Sequence, residues 1–557
     1  MKPFDGSGVF RPNADGDGLR RLAVRGAGVT VASQSLGFAI QMIATVVLAR
    51  LLTPEDFGLV TMVTTFSLLL MNCGLNGFTE AVLQRDEIDH FLASNLFWIN
   101  AGLGLLLTIW FAAAGSLLAR FYGDPRVAHV AVAMSVTIFF TSVSVQHLAL
   151  LKRSMRFSVV SANDILARAV SVAVSILLAW AAWGYWALVA GAIVLPLATS
   201  IGAWVLCRWV PGLPRRGVGT GPMVRFAMST YGRFTANYFT WNLDNLLVGW
   251  RLGPVPLGFY KKAYDLFVLP TNQLSAPLTA VAVSVLSRLT RDPMQYRRYF
   301  LSALSTLAFV GMGLGADLTL IGKDLILLLL GPRWEESGRI FTFFGPGIGV
   351  MLLYFTHGWI HLSIGRADRW FRWGVVEFTV TGLLFLLGLP WGPVGIAVAW
   401  VASFWLLTIP ALWYAGRPVG LMIAPVIAAV WKYVLASALA GCASAVIIRG
   451  IPSFAAASGS GGAVARIVMI SLLFIALYLG AVICLHRGCA PLYHVAGLLR
   501  EMIPWGRFST SPDPEEDCPS GIRSAWRSIP NAHAQGKIPN PELIQKLGGR
   551  STFADTP

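Results

Sequence analysis

The sequence predicts an all-α integral membrane protein of about fourteen transmembrane helices, arranged as two six-helix lobes related by a parallel repeat plus two extra C-terminal helices. Three observations predict it: the composition, the recurrence of long apolar runs, and a seven-residue pattern that returns 200 residues later. Of 557 residues, 55% are hydrophobic and 13% charged, against about one quarter charged in soluble proteins, which excludes a water-soluble fold. Apolar runs of about 20 residues are long enough for a hydrocarbon core about 30 Å thick. Backbone polar groups must be satisfied inside lipid, so the spanning element is the helix.

In chain order, residues 1–25 form a polar, basic segment expected in the cytoplasm. The apolar run that follows is too long for a signal-peptide core and lacks a convincing cleavage site, so it is expected to stay as an anchor. The N-lobe, 26–210, carries expected spans at 27–49, 57–77, 93–117, 127–150, 164–183 and 186–207. The C-lobe, 211–416, carries spans at 226–250, 257–286, 300–320, 341–364, 373–389 and 394–414. Two extra spans, 423–448 and 464–485, fall in 417–486, and 487–557 is a Pro/Ser/Asp/Glu-rich tail expected to be cytoplasmic and mostly disordered. Residues 321–340 mix an apolar piece, Leu325 to Leu330, with Gly331, Pro332 and charges, and read as a short interfacial helix.

The net charge of +16 sits mostly in short loops, so it reports orientation and not a nucleic-acid partner. A cytoplasmic N-terminus places about twenty Lys/Arg inside and about ten outside, with both termini in the cytoplasm. Trp183, Trp186, Trp250 and Trp391 fall at span ends, where aromatic belts belong. The six cysteines show neither disulfide pairing nor zinc spacing.

The repeat is Leu52-Thr-Pro54-Glu-Asp-Phe57-Gly58 against Leu252-Gly-Pro254-Val-Pro-Leu257-Gly258. Each copy follows the first span of a six-span block. An even number of spans per block gives both blocks the same orientation, hence a pseudo-twofold axis along the membrane normal.

An ionisable side chain at mid-bilayer costs at least about 2.5 to 3.5 kcal/mol, so each must face protein or water. In the seventh span Ser229, Arg233, Asn237, Trp241 and Asp244 share one side of a continuous helix, which is expected to face a central cavity. Arg233 offers forked donors suited to phosphate, the alternative being a fixed interhelical ion pair. Arg233 and Asp244 are eleven residues apart, about 16 Å, and cannot pair directly. The first span shows a polar face of Thr30, Gln34, Gln41 and Thr45, which either lines the cavity or bonds a neighbouring helix. Asp164 and Arg168 open the fifth span as an i,i+4 pair expected near the cytoplasmic end. Glu377 in the eleventh span, with Thr381, and Asp244 are the carboxylates that can couple transport to a proton or sodium ion. No other cofactor is expected. His357 and His361 share a face without a third ligand and read as packed histidines. No catalytic motif is found.

Residues 49–59, Ala-Arg-Leu-Leu-Thr-Pro-Glu-Asp-Phe-Gly-Leu, resemble the opening signature of the polysaccharide transporter family. These are bacterial lipopolysaccharide and exopolysaccharide flippases of the multidrug/oligosaccharidyl-lipid/polysaccharide exporter superfamily. The second-half landmarks are similar too: Asn242-Leu-Asp244-Asn-Leu-Leu-Val248, residues 252–260, Leu269-Pro270, Leu286-Ser-Arg288, Gly331-Pro-Arg-Trp334 and Ser363-Ile-Gly365-Arg366-Ala-Asp368. The resemblance implies a non-enzymatic flippase of undecaprenyl-diphosphate-linked oligosaccharide in the inner membrane, working by alternating access of two six-helix lobes. Arg233 would then hold phosphate, while Asn237 and Gln41 contact sugar. The partners implied are the lipid-linked oligosaccharide, membrane lipid, a polysaccharide polymerase and glycosyltransferases. Rival readings are a drug/cation antiporter of the same superfamily, a membrane polymerase or ligase, and a scaffold for a synthesis complex. The longest expected outside segment, about 20 residues, is short for a catalytic loop.

Overall fold

The computed structural model describes residues 4, 10, 16–75, 82, 88–215, 220–450, 459–489, 492–493 and 497. The chain divides into Met1–Pro491 and Leu492–Pro557, and the fold described is that of the first unit. Most of the tail expected over 487–557 lies outside the described residues.

Fifteen α-helices run through the described residues: α1 (Gly16–Leu51), α2 (Pro54–Leu75), α3 (His90–Tyr122), α4 (Arg126–Arg153), α5 (Phe157–Trp180), α6 (Tyr185–Cys207), α7 (Gly221–Thr240), α8 (Leu243–Leu252), α9 (Pro254–Arg288), α10 (Pro293–Leu330), α11 (Glu335–Ser363), α12 (Ala367–Gly388), α13 (Gly392–Gly416), α14 (Ile423–Gly450) and α15 (Gly459–His486). Eleven stretches are long and apolar enough to cross a membrane, and the chain is a multi-pass membrane protein. Their ends follow local chemistry. Pro54 and Pro254 start α2 and α9, where the missing N–H is not needed. Asp89 caps α3 by accepting from the Leu92 amide at 2.6 Å, and Gly123, at φ +71°, closes the same helix. Trp183, Trp250 and Trp391 are exposed at helix ends, in keeping with an aromatic belt.

Three expectations change. α1 begins at Gly16, inside the segment read as polar, because a helix can run on into water once its span is complete. Leu325 to Leu330 are the last turns of α10, followed by a single 3₁₀ turn, Pro332–Trp334, and not an interfacial helix. The span expected at 226–250 is broken at Trp241 and Asn242 into α7 and α8. No proline marks that break. Trp241 instead packs into an aromatic core, 5.3 Å from Trp400 and 5.6 Å from Phe355, and the Asn242 side-chain Nδ2 donates to the Tyr238 carbonyl at 3.0 Å.

Packing repeats along the chain. In the first six helices α1 packs on α5, α2 on α4, α3 on α4, α4 on α6 and α5 on α6. In the next block α7 packs on α12, α9 on α11, α10 on α11, α11 on α13 and α12 on α13. The blocks meet chiefly where α2 packs on α9, while α14 and α15 pack on each other and on α10. Glycines allow the closest approaches. A Cβ at Gly349 on α11 would lie 2.7 Å from the Gly311 carbonyl oxygen on α10, and one at Gly315 would lie 3.0 Å from that of Gly345.

Candidate functional site

The break in the seventh span leaves Asp244 on the first turn of α8, where the partial positive charge of a helix start favours a carboxylate. Its side chain is wholly buried. Oδ2 accepts from the Tyr260 hydroxyl at 2.7 Å and from the Trp400 indole N–H at 3.0 Å. Oδ1 has no side-chain partner among the described residues. The expectation that Asp244 continues a polar stripe into a cavity is therefore overturned, because the break turns it into the aromatic core of α9 and α13. The side chains of Ser229, Arg233 and Asn237 lie outside the described residues.

A charged group that the sequence reading did not single out sits on α9. Lys261 Nζ is 2.6 Å from Asp265 Oδ1, with the two side chains 29% and 41% exposed. The next residue, Lys262, is buried, and its ammonium lies 4.0 Å over the Phe57 ring of α2 with no carboxylate partner among the described residues. Lys261 is seven residues from the start of α9, about 10 Å along its axis, and Asp265 is eleven residues from it, about 16 Å. An open ion pair at that depth is tolerated only where it meets water or protein. The signal was present in Lys261-Lys262-x-x-Asp265, an i,i+4 acid–base pair inside an otherwise apolar helix.

The first block carries an analogous pair. Arg168 Nε is 2.9 Å from Asp164 Oδ2, both side chains well exposed at 39% and 52%. Because α5 starts at Phe157, this pair sits near mid-helix and not at the cytoplasmic end expected. Arg168 lies over Gly37 of α1, and Gln34 and Gln41, on the same side of that helix, are exposed. Arg168 thus lies beside the α1 face that carries Gln34 and Gln41, and Asp244 lies close enough to Lys261 to attract it.

Glu377 on α12 is buried beside the Tyr354 hydroxyl, which also receives the Trp373 indole N–H at 3.0 Å, and Thr381 one turn on is buried too. His357 Nδ1 lies 2.6 Å from the Tyr354 carbonyl oxygen. Among the described residues no three His, Cys, Asp or Glu side chains converge to hold a metal. Sequence reading also passed over the polar links that fasten α15 to α10: Arg466 donates to both oxygens of Asp324 at 2.8 and 3.2 Å, and the Ser471 hydroxyl bonds Asp317 at 3.1 Å.

A family profile described as "Polysaccharide biosynthesis protein" matches residues 47–339. The chain is 23% identical over 344 residues to the teichuronic acid biosynthesis protein TuaB of Bacillus subtilis (strain 168), covering 61% of this chain and 70% of that protein. It is 23% identical over 327 residues to the lipopolysaccharide biosynthesis protein WzxC of Escherichia coli (strain K12), covering 57% and 65%. The succinoglycan biosynthesis transport protein ExoT of Rhizobium meliloti (strain 1021) is 23% identical over 367 residues, covering 65% and 73%. In fold the chain is similar to the lipid II flippase MurJ in an inward closed conformation, with TM-score 0.65 at 14% identity over 83% of this chain and 99% of that one. An inward-facing MATE-family multidrug resistance transporter of the MOP superfamily follows, with TM-score 0.54 at 13% identity over 69% and 94%. With the profile spanning more than half of the sequence, this chain belongs to the polysaccharide biosynthesis protein family.

Proposed function

We propose that this protein carries undecaprenyl-diphosphate-linked oligosaccharide from the cytoplasmic to the periplasmic leaflet of the bacterial inner membrane by alternating access. The observation that carries the reading is the half-open Lys261–Asp265 pair with Lys262 beside it, set about a quarter of the way along a helix long enough to cross a membrane. Two ammonium groups at that depth suit a diphosphate that must leave water, while the polyprenyl tail stays in lipid. Arg233 remains a third cation for phosphate, and Asn237, Gln34, Gln41 and Arg168 are the sugar-side contacts. The repeated packing of the two helix blocks supports a division into two six-helix lobes, TM1–6 and TM7–12, with α7 and α8 as one interrupted span and α14 and α15 as the two extra helices. Both termini would face the cytoplasm, a reading that the excess of Lys and Arg in alternate loops supports.

Glu377 and Asp244 are the proposed coupling carboxylates for a proton or a sodium ion. A polymerase and glycosyltransferases would act after and before transport, with membrane lipid as the surrounding partner. A drug/cation antiporter is disfavoured by Lys261 and Lys262, two cations against the single carboxylate of Asp265 on this stretch of α9.

The test is sugar analysis of the cell surface and of the lipid-linked pool in a deletion strain and in strains carrying Arg233→Ala or wild type. Loss of surface polymer, with repeat units trapped on the cytoplasmic leaflet, is expected for the deletion. Repeat units that reach the periplasmic leaflet unpolymerised would reject flipping. Arg233→Ala is expected to abolish export at normal protein level, and normal export would remove Arg233 from the site.

A further inference from the structure

The two copies of the repeated motif touch each other. A Cβ at Gly58 on α2 would lie 1.8 Å from the Pro254 carbonyl oxygen, and a Cβ at Gly258 on α9 would lie 1.8 Å from that of Pro54. The contact is reciprocal and made of backbone alone, so only glycine fits on either side. Around it the blocks are knit by side chains. Trp334, fully buried, stands edge-on between Phe57 and Phe259, at 5.5 and 6.1 Å, and its indole N–H donates to the Ala49 carbonyl at 2.8 Å. Arg50, ending α1, donates to the Leu328 and Leu329 carbonyls at 2.7 and 3.3 Å, satisfying the open end of α10.

We infer that this crossing is the outer gate of the transport cycle, closed here, with Gly58 and Gly258 setting how tightly it shuts and Trp334 acting as its bolt. The chemistry suits a seal that opens and recloses. At the crossing itself a carbonyl oxygen meets Cα–H groups, a weak contact, and among the described residues no ion pair joins the blocks there. The directional bonds, from Trp334 and Arg50, go to main-chain carbonyls that water can solvate once the gate parts. The gate rests on the alternating-access reading, and it gives the repeat a role: one motif, used twice, closes on itself about the pseudo-twofold axis.

The experiment uses the full-length protein in intact cells, with its cysteines replaced and one reporter, Gln41→Cys, which lies ten residues below the end of α1 on an exposed face. A membrane-impermeant maleimide is added from outside. Gly58→Ala and Gly258→Ala are each expected to raise the labelling rate about tenfold, the change from a minor to a major open population. Trp334→Ala is expected to raise it less. Gly388→Ala is the control: its Cβ would meet the Gly395 carbonyl oxygen at 2.4 Å, a comparable insult confined to the α12–α13 pair. Labelling in the motif variants that matches the parent or the Gly388→Ala control, or that rises only for maleimide admitted from the cytoplasm, overturns the gate. Because Gln41 is a proposed sugar contact, labelling is read in cells that make no lipid-linked oligosaccharide, so its result is separate from the polymer analysis that tests flipping.

Discussion

Helices α2 and α9 occupy equivalent places in the two blocks, and they resemble each other at one end and part company one turn later. Position by position at an offset of 200, Pro54 faces Pro254 and Gly58 faces Gly258, but Thr61 stands where the second block has Lys261, Met62 where it has Lys262, and Thr65 where it has Asp265. On the preceding helices Ala44 stands where the second block has Asp244. The likeness falls where the two backbones cross, and the divergence falls one turn on, where α9 carries charge and α2 does not, with Lys262 still reaching across to the Phe57 ring. Symmetry therefore marks the crossing of the two halves, and on the proposed function the asymmetry marks the chemistry that a single substrate needs from one side only.

The sharpest way to break this comparison is to reverse the charges on α9. If α9 takes the diphosphate as proposed, Lys261→Glu is expected to cut surface polymer by about tenfold or more, since a carboxylate would then face the phosphate charge at low dielectric. The double variant Lys261→Asp/Asp265→Lys keeps an i,i+4 pair, whose two orders differ by only a few tenths of a kcal/mol, and so keeps the helix. Export should stay lost in the swap at normal protein level. Recovery would mean that the pair serves only α9 itself, and the asymmetry would carry no chemistry.

A second test concerns Asp244, which has no counterpart carboxylate in the first block. Tyr260→Phe and Trp400→Phe each remove one of its two side-chain donors. Leaving a buried acceptor short of a partner costs about 1–3 kcal/mol, so each variant is expected to melt a few °C lower in detergent. Trp400→Phe also loses packing against Trp241 and should be the worse of the two. An unchanged melting temperature in Tyr260→Phe would show that Asp244 is held by other groups.

How far these features were legible depends on the range over which their cause acts. Helices were readable because hydrophobic length is local: each of the fourteen expected segments overlaps a described helix, α7 and α8 sharing one, while eleven stretches are long and apolar enough to cross a membrane. The break at Trp241 was not, since Thr240-Trp241-Asn242 holds neither proline nor glycine and is bent by tertiary packing. The same packing hid the burial of Asp244. Leu325 to Leu330 were misread because Gly331-Pro332 signals a stop without saying what precedes it. The repeat was legible as a pattern, but that its two glycines meet each other follows only once α2 and α9 are brought together. Lys261, Lys262 and Asp265 were in plain view and were passed over because the eighth span is otherwise apolar.

The smallest effect comes from the way each block fastens these paired helices at the motif end. In the second block the Ser337 hydroxyl on α11 donates to the Phe259 carbonyl on α9 at 2.8 Å, a neutral tie. In the first block Arg126 on α4 bonds Glu55 on α2 at 2.6 Å and is held in turn by Asp124 at 2.8 Å, so the same joint is made of charge. Hydrogen bonding from the Arg126 side chain holds the Asp124 carboxyl below the usual carboxylate range. A carboxylate lowered on folding adds stability that is complete above its unfolded value, about 4, and is lost as the pH falls through the lower folded value. The Arg126 side chain is 43% exposed, so solvent screens the bond, and Asp124→Asn is expected to cost about 1 kcal/mol or less at pH 7. Wild type should lose that increment on acidification below about pH 4, and Asp124→Asn, which has no such proton to take up, should not. Equal acid sensitivity in both would place the acid-labile bond elsewhere, and the two joints would then differ in composition without differing in response to pH.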